Sequence, residues 1–177
     1  MTNTEERWIA ATDGSAINNP GPGGWAWVIL FPDKTTEHRV GSAVKTTNNV
    51  MELTAVVKLL QWVPREQRLE VRLDSSYVLN SVTRWIPGWK RNNWRKADGA
   101  PVKNADIMKK LDELVAGRDI NFVKVKAHQK TGGDPLNEFV DAKANAQARK
   151  QKENADKRRE RKRGAGFGGP DGWGPID

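Results

Sequence analysis

Three strand-like runs occur in the first part of the chain: the first is short and mixed, the second is richly apolar and the third alternates loosely. Turn-forming residues separate them. The runs predict β-strands over Trp8–Thr12, Trp25–Phe31 and Thr36–Val44. The Asn-Asn-Pro-Gly-Pro-Gly-Gly segment and the Pro-Asp pair between the runs are typical of hairpin turns. Three strands with such short links predict an antiparallel meander.

Helical and strand-like patterns alternate through the rest of the chain. The predicted elements are helices over Val50–Val63, Tyr77–Trp85, Ile107–Val115 and from Leu136 onward, and strands over Leu69–Leu73 and Ile120–Lys126. Together with the meander, these elements predict an α/β protein. We expect a five-stranded mixed sheet, with an antiparallel meander and parallel strands, flanked by α-helices.

The composition excludes several classes of protein. The 177 residues suit one domain with a real core, and they include no cysteine. Disulfide scaffolds, thiolate zinc sites and cysteine nucleophiles are therefore excluded. No stretch approaches the ~18 apolar residues of a membrane span, and the N-terminal segment lacks the apolar core of a signal peptide. We expect a soluble, cytoplasmic protein that does not act at a membrane.

The net charge of +8 is concentrated near the C-terminus. Nine basic and three acidic residues lie between Arg149 and Arg163, where apolar residues almost vanish, and a Gly- and Pro-rich segment follows. We expect a folded domain over residues 1–148 and a C-terminal extension over residues 149–177. The extension begins with a basic part, which is either a frayed, charge-rich continuation of the last helix or a flexible segment, and ends in a flexible Gly/Pro-rich tail. The basic part is either a second nucleic-acid anchor or a solvated segment.

Four acidic residues stand where the pattern favours other residue types. Glu52 lies on the same helical stripe as Val56, which we expect to face the sheet. Asp141 lies inside the last helix. Asp13 and Asp74 end predicted strands. Each acid alone also fits an ordinary role, as a first-turn carboxylate, a solvated helical charge, a turn residue or a helix cap.

Taken together, the four acids indicate a metal centre. Two strand ends and two helices can bring them to one edge of a sheet, where the ligands of open α/β sheets collect. Adjacent carboxylates repel one another unless cations lie between them, and oxygen-only ligands select Mg²⁺ or Mn²⁺ rather than zinc. Two such ions can hold the attacking and leaving oxygens of a phosphoryl displacement. His128 follows a predicted strand in a polar loop, so it is either a proton-transfer residue or an ordinary surface residue.

Five motifs, in order and at matching spacing, resemble those of type 1 ribonuclease H. The resemblance covers about Arg7 to Ala148. The motifs are T-D-G-S (12–15) followed by N-P-G-P-G-G (19–24), T-T-N-N-V-M-E-L (46–53), D-S-S-Y-V (74–78), V-K-A-H (125–128) and N-E-F-V-D (137–141).

This resemblance implies a ribonuclease H-like fold and endonucleolytic hydrolysis of the RNA strand of RNA/DNA hybrids to a 5′-phosphomonoester. It implies that Asp13, Glu52, Asp74 and Asp141 bind two Mg²⁺ ions, with Mn²⁺ as an alternative. It also implies that His128 assists proton transfer or product release, and that the protein is a monomer without an obligate protein partner.

Several further residues match hybrid-binding positions of the family. The resemblance places Asn19, Asn48 and Asn49 in the minor groove beside the RNA strand, where amides can recognise the 2′-hydroxyl. It places Thr47 and Asn104 against a phosphate of the DNA strand.

Three features depart from the family pattern. Ser76 stands where a glutamine is common, so we expect its contact to the hybrid to be shorter or lost. Ala127 replaces the glycine before His128, and the loop that follows is longer than in compact members. We expect cleavage with an altered rate.

The stretch Arg84–Lys103 combines six basic residues and one acidic residue with three tryptophans. Trp85 and Trp89 lie one helical turn apart, which fits either core packing or a stacking surface among phosphate-binding cations. The stretch resembles the family's basic protrusion, which binds the DNA strand. The predicted contact residues are Trp85, Trp89, Lys90, Arg91 and Trp94.

Two other functions fit the same residues less well. A non-catalytic hybrid-binding module gains nothing from a repulsive carboxylate cluster. A nuclease with an acidic cluster but another substrate, such as a DNA resolvase or integrase domain, needs neither the asparagine pair nor the tryptophan-rich stretch.

Overall fold

A five-stranded mixed sheet forms the centre of the molecule. The computed structural model describes residues 5–126 and 131–165. Its strands are β1 (Trp8–Ala16), β2 (Gly21–Leu30), β3 (Thr36–Thr46), β4 (Leu69–Leu73) and β5 (Ile120–Lys124). They lie in the order β3-β2-β1-β4-β5. β1, β2 and β3 pair antiparallel, whereas β4 pairs parallel with both β1 and β5. The predicted meander and mixed sheet are confirmed.

Helices cover both faces of the sheet. They are α1 (Asn48–Trp62), α2 (Ser76–Asn80), α3 (Ile86–Arg91), α4 (Ala105–Val115) and α5 (Pro135–Ala165), with a π-helical segment (Ser81–Trp85) between α2 and α3. The larger core joins one sheet face to α1 and α4, and Leu53, Val71 and Leu111 are fully buried in it. The smaller core joins the opposite face to α5 through Ala11, Ala26, Val28, Val140 and Ala144.

Side-chain hydrogen bonds define both ends of α1. The Thr47 hydroxyl accepts from the backbone N–H of Val50 at 3.2 Å and so caps the first turn. At the other end, Arg118 donates to the carbonyls of Leu60 at 2.6 Å and Val63 at 3.2 Å. These bonds satisfy polar groups that a helix end leaves unpaired, and they hold α1 in place over the sheet.

β1 is longer than the sequence pattern predicts. Its antiparallel pairing with β2 runs on until Ala16 lies opposite Gly23, whereas its parallel pairing with β4 ends at Ala11. The prediction that Asp13 ends this strand is therefore wrong, because continued pairing with β2 keeps the backbone extended. Asp13 instead lies in the part of β1 that has separated from β4.

One helical region differs from its predicted bounds, and the last helix includes the basic stretch. The helix predicted over Tyr77–Trp85 is α2 followed by the π-helical segment, and helical structure continues as α3 to Arg91. α5 continues through the basic stretch to Ala165, far beyond its last buried residue, Ala148. Lys, Arg, Glu and Gln are strong helix formers, so this stretch is helical without an apolar face. Within the described residues, no helix has the length and apolar character needed to cross a membrane.

Candidate active site

Asp13, Glu52 and Asp74 converge from three separate elements. Asp13 comes from β1, Glu52 from the first turn and a half of α1, and Asp74 from the residue directly after β4. One carboxylate oxygen of each lies within 4.8 Å of the others. The structure thus brings together three of the acids that the sequence pattern singled out.

The close approach of α1 to β1 depends on Gly14. A Cβ at this position would lie 2.2 Å from the backbone carbon of Met51 and 2.4 Å from the backbone nitrogen of Glu52. Since such distances are far inside van der Waals contact, only glycine allows the helix to pack this near the strand. The absence of a side chain at Gly14 places Glu52 beside Asp13.

Burial changes the protonation of both neighbouring acids. Asp13 is 4% exposed, and burial raises its pKa from 3.8 to about 7, with the charge of Asp74 and an interaction with Asp141 adding to the rise. Burial also raises the pKa of Glu52 well above its ordinary value, and the charge of Asp13 raises it further. Each carboxylate therefore lies in surroundings that oppose its negative charge.

This arrangement fits a hard divalent cation. Oε2 of Glu52 is buried and has no hydrogen-bond partner among the described residues. A buried carboxylate oxygen without a partner is costly, and a cation beside it would remove both that cost and the repulsion between the acids. Because all three donors are carboxylate oxygens, the set suits Mg²⁺ or Mn²⁺ rather than zinc.

Asp141 reaches the site from the other side of the sheet. It lies on α5, which packs on the face opposite α1, and its side chain interacts with that of Asp13. Oδ1 of Asp141 accepts from Nδ2 of Asn145 at 3.2 Å, and Oδ1 of Asn145 accepts from the hydroxyl of Ser15 at 2.9 Å. These two bonds tie the Asp141 carboxylate to β1. Asn145 and Ser15 were not predicted, although Asn145 follows Asp141 by one helical turn.

An ion pair holds the start of α5 against the sheet. Nη1 of Arg72, on β4, lies 2.9 Å from Oδ2 of Asp134, and Nε of Arg72 lies 2.8 Å from Oε2 of Glu70. Oδ1 of Asp134 accepts from the backbone N–H of Asn137 at 3.0 Å and caps the helix. Asp134 thus anchors α5 two turns before Asp141. His128, the predicted proton-transfer residue, lies outside the described residues.

The predicted minor-groove residues lie together next to the acids. Oδ1 of Asn19 accepts from the backbone N–H of Asn48 at 3.0 Å, and Oδ1 of Asn48 accepts from the backbone N–H of Ala16 at 2.7 Å. Asn19 and Asn48 are exposed, and Asn49 is half-buried. The bonds cross-link the β1–β2 turn to the start of α1, so both exposed side chains are held in fixed positions.

The remaining predicted contact residues follow α2. The ring centroids of Trp85 and Trp89 are 5.8 Å apart, and those of Trp89 and Trp94 are 6.4 Å apart. Trp85 is 37% exposed, whereas Trp89 and Trp94 are half-buried against the larger core, so the cluster has both an open and a packed side. The Tyr77 ring lies edge-on to Trp85, with centroids 5.9 Å apart, and its hydroxyl accepts from Nδ2 of Asn104 at 3.1 Å.

The polar residues around this cluster differ in whether they already contact another protein side chain. Nζ of Lys90 lies 3.1 Å from Oδ2 of Asp112, while Arg91 is exposed. Ser76 is exposed, and its hydroxyl accepts from Nζ of Lys124. The structure therefore leaves Arg91 open to a phosphate and places Lys90 and Ser76 in contacts within the protein.

The strand order of the sheet and the cluster of acids together define a class of α/β proteins that carry an acidic, metal-binding centre on a mixed sheet. The profile of the RNase H family matches residues 5–149. The chain belongs to the RNase H family.

Relatives and solved structures agree with this assignment. Ribonuclease HI of Streptomyces coelicolor is 46% identical over 144 residues, which make up 81% of this chain and 62% of that protein. Ribonuclease H of Polaromonas sp. is 45% identical over 146 residues, 81% of this chain and 89% of that protein. The chain thus spans less than two thirds of the Streptomyces protein and most of the Polaromonas one. The crystal structure of LC9-RNase H1, a type 1 RNase H with the type 2 active-site motif, superposes with a TM-score of 0.68 at 25% identity, covering 82% of this chain and 74% of that one.

Proposed function

We propose that this protein is an endoribonuclease that hydrolyses the RNA strand of RNA/DNA hybrids with the help of two Mg²⁺ ions, for which Mn²⁺ can substitute. The observation that carries the proposal is the convergence of Asp13, Glu52 and Asp74, whose oxygens lie within 4.8 Å of one another, together with a buried oxygen of Glu52 that finds no hydrogen-bond partner in the described part of the chain. Membership of the RNase H family supports it.

In this proposal the four acids share one task. Asp13, Glu52, Asp74 and Asp141 hold the ions, and the ions, when bound, stabilise the charge on the attacking and leaving oxygens. Water adds to phosphorus, the bond to the ribose 3′-oxygen breaks, and the products are a 5′-phosphate and a 3′-hydroxyl. The role of His128 in proton transfer or product release rests on its sequence motif alone.

The substrate assignments extend outward from the acids. Asn19, Asn48 and Asn49 contact the RNA strand in the minor groove, where the 2′-hydroxyl distinguishes RNA from DNA. Thr47 and Asn104 hold a phosphate of the DNA strand. The remaining contacts belong to Ser76 and the basic protrusion, through Trp85, Trp89, Lys90, Arg91 and Trp94. We further propose that the enzyme acts as a monomer in the cytoplasm.

A non-catalytic hybrid-binding module is less consistent with the site. Binding alone would favour replacing these acids by neutral residues, because their charges repel one another and also repel phosphate. The raised pKa values of Asp13 and Glu52 record how unfavourable those charges are without a cation.

The test is a cleavage assay on three labelled duplexes: an RNA/DNA hybrid, an all-RNA duplex and an all-DNA duplex, each with Mg²⁺ or EDTA. We expect cleavage of the hybrid in Mg²⁺ alone. Asp13→Asn and Asp74→Asn should abolish cleavage but leave the circular dichroism spectrum unchanged, whereas Asp106→Asn, the same change at an exposed acid, should remain active. Cleavage by Asp13→Asn, or equal cleavage of the DNA duplex, would refute the proposal.

A further inference from the structure

The C-terminal part of α5 extends beyond the body of the protein. α5 is buried at Val140, Ala144 and Ala148, and near the end of this contact the hydroxyl of Ser42 on β3 donates to Oε1 of Gln151 at 3.3 Å. From residue 157 to residue 165 every side chain is exposed. At 1.5 Å per residue, the helix continues for about 20 Å past Gln151. We call residues 152–165 the basic arm.

Charges on the basic arm are segregated by face. The arm has seven basic and three acidic residues. The acids Glu153, Asp156 and Glu160 follow one another at spacings of three and four, so they share one stripe of the helix. Nζ of Lys152 lies 2.8 Å from Oδ2 of Asp156 and partly neutralises that stripe. The other six basic residues of the arm occupy the rest of the helix circumference.

The basic side of the arm continues the packing side of the helix. Val140, Ala144, Ala148 and Gln151 form the stripe that faces the sheet, and the same helical spacing leads on to Ala155, Arg158 and Lys162. Where the helix passes the sheet, this stripe therefore changes from apolar to cationic. Arg158 and Lys162 are exposed on the side of the helix that, closer to the domain, lies against protein.

The composition of the arm favours a polyanion as its partner over a membrane surface or another protein. A membrane-surface helix needs an apolar face, and a protein interface centres on buried aromatic or aliphatic anchors. The arm's apolar residues are two alanines, Ala155 and Ala165. Neighbouring cations also repel one another within the helix, and phosphates would relieve that repulsion while releasing counterions from the nucleic acid.

We propose that the basic arm is a second nucleic-acid contact, which binds backbone phosphates of a duplex outside the catalytic cleft. The inference deepens the proposed function and rests on it for the identity of the duplex. The arm adds affinity without sequence preference, and it acts on duplexes long enough to reach both the cleft and the arm. A hybrid of about one helical turn gains nothing from it.

The test uses two matched triple variants of the full chain. The first neutralises three exposed cations, Arg158→Gln, Arg161→Gln and Lys162→Gln. The second neutralises the acidic stripe, Glu153→Gln, Asp156→Asn and Glu160→Gln. Dissociation constants are measured in EDTA as a function of salt, on hybrids of one and three helical turns and on an all-DNA duplex of three turns.

We expect the first variant to bind the long duplexes more weakly and to reduce the slope of log Kd against log salt by about 2–3, since each lost phosphate contact removes roughly one. Binding of the short hybrid and its cleavage in Mg²⁺ should not change. The acid-neutralised variant should bind the long duplexes as tightly as the original protein or more tightly.

Two results would separate failure of the arm from failure of the enzyme. If the long hybrid is cut and the first variant binds it with unchanged Kd and salt slope, the arm is not a contact. If no duplex is cut but the loss of affinity on long duplexes is still seen, the arm stands as a nucleic-acid contact and the proposed hydrolysis is wrong.

Discussion

Asn145 donates from Nδ2 to Oδ1 of Asp141 across 3.2 Å, and its own oxygen accepts from the hydroxyl of Ser15 on β1 at 2.9 Å. The Asp141 carboxylate is therefore oriented by a residue one turn further along the same helix. Removing a residue that orients a metal ligand in this way commonly lowers metal affinity or activity by about 10–100-fold.

Asn145→Leu should lower hybrid cleavage by about ten-fold or more and raise the Mg²⁺ concentration required for half-maximal rate. The reason is that Asp141 loses the donor that fixes its orientation. Mg²⁺ titrations of the initial cleavage rate measure the effect. Ser15→Ala keeps the bond from Asn145 to Asp141 and should have a smaller effect, whereas an unchanged Mg²⁺ requirement in Asn145→Leu would show that Asp141 needs no such support.

The metal-free protein should be less stable at pH 8 than at pH 5 because of Asp13. Burial raises the pKa of this acid from 3.8 to about 7 in the native state. Between these values the native state holds a proton that the unfolded state has released, so the free energy of unfolding falls as pH rises through this window. Thermal melts in EDTA at several pH values measure the dependence.

Asp13→Asn should remove much of that dependence and raise the melting temperature in EDTA at pH 8. The gain is on the order of 1–3 kcal/mol, because the variant buries no charge at this position. Asp106→Asn, at an exposed site, serves as the control and should leave the pH dependence unchanged. A melting temperature that is equal or lower in Asp13→Asn at pH 8 would contradict the prediction.

Mg²⁺ should stabilise the folded protein through the same cluster. A ligand at one hundred times its dissociation constant adds about 2.7 kcal/mol, which corresponds to several degrees in melting temperature. Glu52→Gln should abolish most of this shift, since Oε2 of Glu52 is a buried carboxylate oxygen that has no hydrogen-bond partner among the described residues. The measurement is the melting temperature with Mg²⁺ minus that with EDTA, and an equal shift in both proteins would exclude Glu52 as a ligand.

Gly14→Ala should impair folding and activity together. The added Cβ would overlap the backbone at Met51 and Glu52, at 2.2 and 2.4 Å, so α1 must move away from β1. We expect a loss of about 1–3 kcal/mol in the free energy of unfolding and a large loss of cleavage, as Glu52 is carried away from Asp13. Denaturant unfolding and the hybrid assay measure the two effects.

Gly164→Ala provides the matched control for that substitution. A Cβ at Gly164 meets nothing within 4 Å, and alanine is the better helix former. This variant should be fully active and at least as stable as the original protein. If Gly14→Ala behaved in the same way, the close packing of α1 on β1 would have no part in placing Glu52.

The order of the elements and the convergence of the acids could be predicted from sequence because both follow from local patterns. Glu52 was conspicuous as an acid on an apolar stripe, and Asp74 as an acid at a strand end. Asp13 was recognised for a reason that is only half correct, since β1 continues beyond it. A single sequence does not reveal how far antiparallel pairing will continue past the end of parallel pairing.

Other features of the site depend on contacts between distant residues, which no local pattern reports. Asp-Gly at 13–14 is typical of a turn, yet the glycine is needed because the backbone of α1 lies against it. Ser15 and Asn145 are ordinary polar residues until β1 and α5 pack together. For the basic arm the sequence left a continued helix and a flexible segment both open, because the arm has the propensity of a helix but no face to bury.

Glu52 belongs to the helix that covers one side of the sheet, and Asp141 belongs to the helix that covers the other. A polypeptide in which only one of these layers has docked lacks part of the proposed cation cage. Under the proposed function, such a polypeptide, whether newly made or refolding, cannot hold its ions with the full set of acids. Cleavage then requires both sides of the sheet to be closed.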